Sequence, residues 1–191
     1  DAAVRARGAD IEATLKRLTR LSERLLQLAR AEGGRLRLDL TTDMQPVARI
    51  LTDELSRIAG AGRVALALPP EPVVSDLDPD VFAIVYRNLV ENALRHGADG
   101  APVEVSLTRE GLLTVDNDGP VVPRDALARL VNRFERSGSQ AQGSGLGLAI
   151  VQAIAQRMGS ALVLESPRPG QTSGFRATVT IPVDGGDQRR P

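Results

Sequence analysis

The sequence predicts an α+β chain, with one long bundle-type helix ahead of a unit of mixed strands and helices. Two observations predict it. Ile11, Leu18 and Leu25 recur every seven residues, with Leu21 and Leu28 at the complementary heptad position, which is the apolar period of a packed helix. From Arg35 onward, short stretches of strict apolar–polar alternation are interleaved with stretches of helical spacing, the signature of strands and helices sharing one core.

The first helix spans residues 10 to about 32. Leu15 and Leu26 widen its apolar stripe, which suits a bundle better than a two-stranded seam. Gly33-Gly34 ends it, as glycine does at helix C-termini. The helix could pack on the rest of the chain; the stripe favours half of a helical hairpin that dimerises. Arg35 to Leu40 alternates as a half-buried strand. Residues 45–59 have helical spacing, with Val47, Ile50, Leu51, Leu55 and Ile58 on one face. Arg63 to Leu68 alternates again and Pro69-Pro70 stops it. Asp78-Pro79 is a cap followed by proline at the first helical position, opening a helix to about residue 95. Val103 to Thr108 and Leu112 to Val115 form strands joined by a tight turn at Glu110-Gly111. A short helix over 123–131, a polar glycine-rich loop over 135–145, a helix over 146–158 and strands over 161–165 and 174–181 complete the order. Asp184 to Pro191 reads as a disordered tail. No internal repeat is present. The expected division is residues 1–34, 35–183 and 184–191.

Composition removes several classes of function. The 191 residues carry 24 basic and 24 acidic side chains, without the basic excess of a nucleic-acid-binding domain. There is no cysteine and one histidine, His96, so disulfides, thiolate zinc sites and His-rich metal sites are excluded. The single lysine, Lys16, does not follow a glycine, which excludes a P-loop. No apolar run approaches the ~20 residues of a membrane span.

Three segments carry chemistry. Asn88 and Asn92 are four apart on the 79–95 helix and share a face. Ile84, Val85, Leu89 and Leu94 flank them. Asparagine is unfavourable inside a helix because its side chain competes for backbone hydrogen bonds. An amide oxygen is a neutral, hard donor that suits Mg²⁺, and Arg95 could reach phosphate oxygens. The other reading is a polar helix face. The second segment, Asp116-Asn117-Asp118-Gly119-Pro120, ends an apolar strand; it is either a plain turn or a base-recognising corner. The third, Gly143-Ser144-Gly145-Leu146-Gly147-Leu148, runs straight into a helix. Its glycines let backbone N–H groups approach phosphate, and the helix N-terminus favours anions. The polar stretch before it holds no apolar anchor after Phe134, which suits a mobile lid.

Taken in this order, the three segments resemble the catalytic and ATP-binding domain of bacterial sensor histidine kinases, in the superfamily shared with DNA gyrase and the mismatch-repair ATPases. Arg133-Phe134-Glu135-Arg136 resembles the family's phenylalanine box, and Gly170 to Pro182 its closing strand segment. Leu25 to Gly33 resembles the second helix of its dimerisation hairpin. The resemblance covers nearly the whole chain. It implies a two-layer sandwich, a mixed sheet covered by helices on one face. It also implies ATP and Mg²⁺, with Asn92 on the metal, Asn88 assisting, and Arg95, Arg136 and the Gly143–Leu148 segment around the phosphates. Asn117, Asp118 and Gly119 would form the base-recognising corner. His96 stands where the family often has an aromatic, which implies stacking on the nucleotide; an ordinary helix-end histidine is the other reading. Related ATPases that hydrolyse ATP carry glutamate at the position of Asn88. An amide cannot act as a general base, which fits phosphoryl transfer to a protein acceptor.

Two departures stand out. The family's first glycine box usually reads Asp-x-Gly-x-Gly, and here Asn117 replaces the aspartate and Val121 the second glycine. An amide can accept from adenine's amino group or flip and donate, and Asp116 and Asp118 are neighbouring carboxylates. The family's phosphoacceptor histidine and the acidic residue after it are absent, so the chain reads as a fragment. The resemblance further implies a homodimer through the N-terminal helix, a response regulator as partner, and a cytoplasmic portion of an inner-membrane sensor. A degenerate nucleotide-binding scaffold and a serine-kinase anti-sigma factor are the alternative readings.

Overall fold

The computed structural model describes residues 33–131 and 146–184, with scattered positions between Arg7 and Ala29. Those scattered positions are helical, in keeping with the heptad spacing, and Leu15 and Leu26 among them are exposed. The tail beyond Asp184 lies outside the described residues.

Eleven elements follow: β1 (Arg37–Asp43), α1 (Met44–Ala59), β2 (Val64–Ala67), β3 (Val74–Leu77), α2 (Pro79–His96), β4 (Val103–Leu107), β5 (Leu112–Asn117), α3 (Arg124–Arg129), α4 (Gly147–Arg157), β6 (Val163–Glu165) and β7 (Phe175–Thr180). The main sheet has the order β2-β4-β5-β7-β6, and β1 and β3 form a separate antiparallel ribbon. Only β2 and β4 pair in parallel; α1's successor α2 lies between them in sequence, as a parallel crossover requires. The α1 and α4 helices both pack on α2, and α2 packs on β4 and β5. Val103, Val105, Leu107, Leu113, Val115, Ala177 and Val179 alternate along the strands into this helix layer. The fold is therefore the mixed sheet with helices on one face.

Two expectations are corrected. The strand expected at 35–40 begins at Arg37 and runs to Asp43, and it is exposed along most of its length. Its alternation does not mark burial: Leu40 is open to solvent, and the buried leucine is Leu36, just ahead of the strand. The buried face of α1 is also rotated from the expected one. Met44, Ala48, Leu51, Thr52 and Leu55 face inward, while Ile50 and Ile58 are exposed. Met44, Ala48, Leu51 and Leu55 form the apolar row that sets this face. Thr52 shares it: its hydroxyl lies 2.8 Å from the Ala48 carbonyl and 2.5 Å from the Tyr86 hydroxyl. Its own proton goes to the carbonyl, so Tyr86 donates to Thr52. A satisfied threonine can take a core position at little cost. β3 was not expected at all.

The caps follow the sequence closely. Asp43 accepts from the backbone N–H of Gln45 at 3.0 Å and of Val73 at 3.1 Å, so it starts α1 and fastens the chain ahead of β3. Asp78 accepts from Asp80 N–H at 2.8 Å and Pro79 opens α2. Gly111 takes φ +82° at the β4–β5 turn. A Cβ there would also lie 2.4 Å from the Ile181 carbonyl oxygen. Arg87 on α2 donates to both carboxylate oxygens of Glu54 on α1, at 2.5 and 2.6 Å. Each partner is about a third exposed, so the pair contributes no more than about 1 kcal/mol.

Tyr86 is the chain's one tyrosine, and there is no tryptophan. It is fully buried, and burial pushes its hydroxyl up to about 12. The phenolate is therefore disfavoured in the folded state, and stability falls as pH rises past the ordinary tyrosine value near 10. Absorbance near 295 nm should stay flat past pH 10 and rise only together with loss of helical circular dichroism. Tyr86→Phe leaves the Thr52–Ala48 bond in place and should cost about 1 kcal/mol in urea unfolding.

Candidate nucleotide site

The site forms where the end of α2 meets the end of β5. Strand alternation decides which side chains reach it. Leu113, Val115 and Asn117 share the helix-facing side of β5, and Thr114 and Asp116 face away. Asn117 is 4% exposed. Its Nδ2 donates to the Asp118 carbonyl at 3.1 Å. That carbonyl also accepts from the Ala98 N–H at 2.7 Å, so the loop after α2 and the loop after β5 share one acceptor.

Two glycines make this approach possible. A Cβ on Gly97 would lie 2.7 Å from the Ala93 carbonyl and 3.3 Å from Asn117 Nδ2. A Cβ on Gly119 would lie 3.2 Å from the His96 carbonyl and 3.5 Å from the same nitrogen. Both φ and ψ at Gly97 are ordinary extended values, so this glycine serves space alone.

Of the paired amides on α2, Asn88 is buried and donates through Nδ2 to the Ile84 carbonyl at 2.7 Å. Asn92, one turn on, is half-buried and no described residue hydrogen-bonds its side chain. Arg95 and His96 follow at the exposed end of the helix. Partial burial first, and the Arg95 charge second, hold the His96 imidazole below its ordinary value. Among the described residues no cluster of three or more acidic or imidazole side chains competes as a metal site. The amide oxygens of Asn88 and Asn92 are the hard donors at hand, and they fit Mg²⁺ held jointly with phosphate.

The neighbouring carboxylates are both engaged elsewhere. Asp116 lies on the far face of the sheet, where Arg176 donates to its two oxygens at 2.7 and 2.6 Å. Asp118 is exposed and paired with Arg168. At the third segment, Leu146 is fully buried and Leu148 is in the core, fixing the start of α4 beside α2. Arg133, Phe134, Arg136, Gly143, Ser144 and Gly145 lie outside the described residues, as does the expected lid. A cavity of about 410 Å³ lies between residues 35–39 and Arg157 and Met158, away from every one of these side chains. Sequence reasoning missed Ala98, Gly97 and Arg168; Gly97, directly after the Asn88–His96 segment, was the available signal.

Residues 77–185 match the family of histidine kinase-, DNA gyrase B- and HSP90-like ATPases. The sensor protein QseC of Escherichia coli K12 is 34% identical over 177 residues, 87% of this chain and 37% of its own length. The probable sensor histidine kinase TcrY of Mycobacterium tuberculosis is 36% identical over 181 residues, 89% of this chain and 36% of its own. The chain thus spans a little over a third of the length of these relatives. The mycobacterial sensor histidine kinase MprB superposes with a TM-score of 0.63 at 25% identity, covering 75% of this chain and 96% of that one. Full-length ShkA in complex with AMPPNP gives 0.64 at 25% identity, over 87% of this chain and 36% of that one. With the family match over residues 77–185 and these sensor-kinase relatives beside the amide pair and the buried Asn117 corner, the chain belongs to the histidine kinase-, DNA gyrase B- and HSP90-like ATPases, on their sensor histidine kinase branch.

Proposed function

We propose that this chain binds Mg-ATP at the α2–β5 junction and transfers the γ-phosphate to a histidine on a separate helix, for relay to a response regulator. The observation that carries this reading is the meeting of two kinds of amide at one helix end. Asn92 stands without a partner among the described residues, one turn from Asn88, and the buried Asn117 lies just beyond Gly97. The structural relative solved with AMPPNP supports a nucleotide in this fold.

Each residue has a part that follows from its chemistry. Asn117 would accept from the adenine amino group. Asn92, with Asn88 behind it, would hold the metal, and Arg95 would meet phosphate oxygen. Bound Mg²⁺ would neutralise charge on the transferring phosphoryl group. The amide at Asn88 has no basic lone pair with which to activate water, which disfavours hydrolysis and leaves positioning of a protein nucleophile as the route. The proposal extends to residues 1–34 as a dimerisation helix, 35–183 as the kinase unit, and a membrane-anchored sensor as the whole protein. Among the described residues no helix is long and apolar enough to cross a membrane.

A fluorescent ATP analogue should bind tightly only with Mg²⁺. Asn92→Ala should weaken that binding by roughly 100-fold, the order expected when one of few metal ligands is lost, with unchanged circular dichroism. Wild-type affinity in this variant would remove Asn92 from the metal.

Incubated with γ-labelled ATP, the chain should stay unlabelled, because His96 ends α2 beside Arg95 and, with Arg95 on the phosphates, would not reach in-line geometry. An added peptide bearing a helical histidine and following acid should take the label. Acid-labile label on the chain that is lost in His96→Ala would overturn this assignment.

His96 gives a pH prediction with a defined sign. Its folded value lies below the ordinary 6.5, so the stability it contributes is present above that value and is lost as pH falls through 6.5 and below. As the chain's one imidazole, it should show a single NMR titration below 6.5, and Arg95→Gln should move that titration upward.

A further inference from the structure

The loop between β6 and β7, residues 166–174, is fastened to the corner after β5 by three contacts that no sequence motif announces. Gly174 N–H donates to the Gly119 carbonyl at 2.8 Å. The Ser166 hydroxyl donates to the Gly174 carbonyl at 2.7 Å and accepts from Val122 N–H at 2.9 Å. Arg168 then reaches from this loop to the Asp118 carboxylate and, at 3.3 Å, to Glu104. Its side chain is only 16% exposed, and a Cβ on Gly174 would lie 2.8 Å from its Nε. Glycine at 174 therefore keeps the arginine seated.

Asp118 is the residue whose carbonyl receives both Asn117 Nδ2 and Ala98 N–H. A carbonyl cannot donate, so an Asn117 amide turned the other way would set oxygen against oxygen. While the Asp118 peptide holds its direction, Asn117 presents an acceptor, as a carboxylate would. If that peptide turns, the amide is free to present its donor instead. Arg168 stands between the Glu104 and Asp118 carboxylates, so removing it would leave those two charges facing each other and drive the Asp118 side chain outward.

We propose that Arg168 is a positioning residue for purine selectivity. Its grip on Asp118 holds the Asn117 amide with the oxygen toward the base, which selects a 6-amino purine over a 6-oxo purine. The inference rests on the reading of this corner as the nucleotide site. Adenine's amino group donates to the oxygen, whereas the guanine 6-oxo group would face it acceptor to acceptor.

The test is competition of ATP and GTP against a fluorescent nucleotide on the wild-type chain, Arg168→Gln, Arg168→Lys and Asp118→Asn. The wild type should prefer ATP. Arg168→Gln should lower the ATP-to-GTP preference by roughly ten-fold, the scale of one base-edge contact, mainly by admitting GTP. Arg168→Lys should recover most of it, and Asp118→Asn should lower it several-fold. A general loss of structure would weaken both nucleotides alike and leave the ratio unmoved. An unchanged ratio in Arg168→Gln overturns the proposal. If that variant does not fold, an unchanged ratio in Asp118→Asn overturns it equally. A wild type that binds neither nucleotide would instead defeat the proposed nucleotide site.

Discussion

The junction of α2 with β5 depends on one carbonyl, that of Asp118. It accepts from the loop after the helix and from the side chain that ends the strand, so helix layer and sheet are joined by hydrogen bonds as well as by apolar packing. Both donors sit in a crowded space, where a Cβ on Gly97 would collide with the Ala93 carbonyl and one on Gly119 would press on the His96 carbonyl. Buried polar groups are costly unless paired, and here the pairing is completed by atoms from two separate elements. The position of Asn117 is thus a property of the assembled fold, not of the strand alone.

Behind this joint the structure is ordinary apolar packing. Phe82, Val85, Tyr86 and Leu89 on α2 are buried against Leu113 and Val115 of β5 and Ile150 and Ile154 of α4. That packing sets α2's rotation about its axis. Asn88 is drawn toward the core while Asn92, one turn later, remains half-open. The two amides therefore differ in environment despite equal residue type: one is buried and held by a backbone carbonyl, the other is half-exposed.

Much of this was legible in the residues. Asp78-Pro79, the Glu110-Gly111 turn and the alternation of Val103 to Leu107 located α2, β4 and β5 because each signal is local. What escaped was decided by distant contacts. Ser75 is buried in β3 because its hydroxyl donates to the Pro182 carbonyl and accepts from Leu77 N–H at 3.0 Å, so a polar-looking segment became a strand. Thr52 is tolerated in the core for the same kind of reason, its partner Tyr86 lying on another helix. At the site, the asparagines and glycines announced themselves by type and spacing. Arg168 did not, since an arginine in a proline- and glycine-rich loop looks like any solvated cation until the fold sets Asp118 and Glu104 beside it.

Strand order carries one more consequence, for how the molecule is made. β7 is the last of the described strands, yet it lies inside the sheet, between β5 and β6. A ribosome must therefore release nearly the whole described chain before the sheet can close, and until then β5 presents a long unpaired edge of the kind that pairs with other chains. The contacts that fasten the corner after β5, from Ser166, Arg168 and Gly174, arrive with the same late segment. A chain released only as far as β6 holds the amide pair on α2 but has no brace behind Asn117. Assembly of the corner is tied to completion of the sheet, so synthesis itself delays the moment at which the α2–β5 junction is complete.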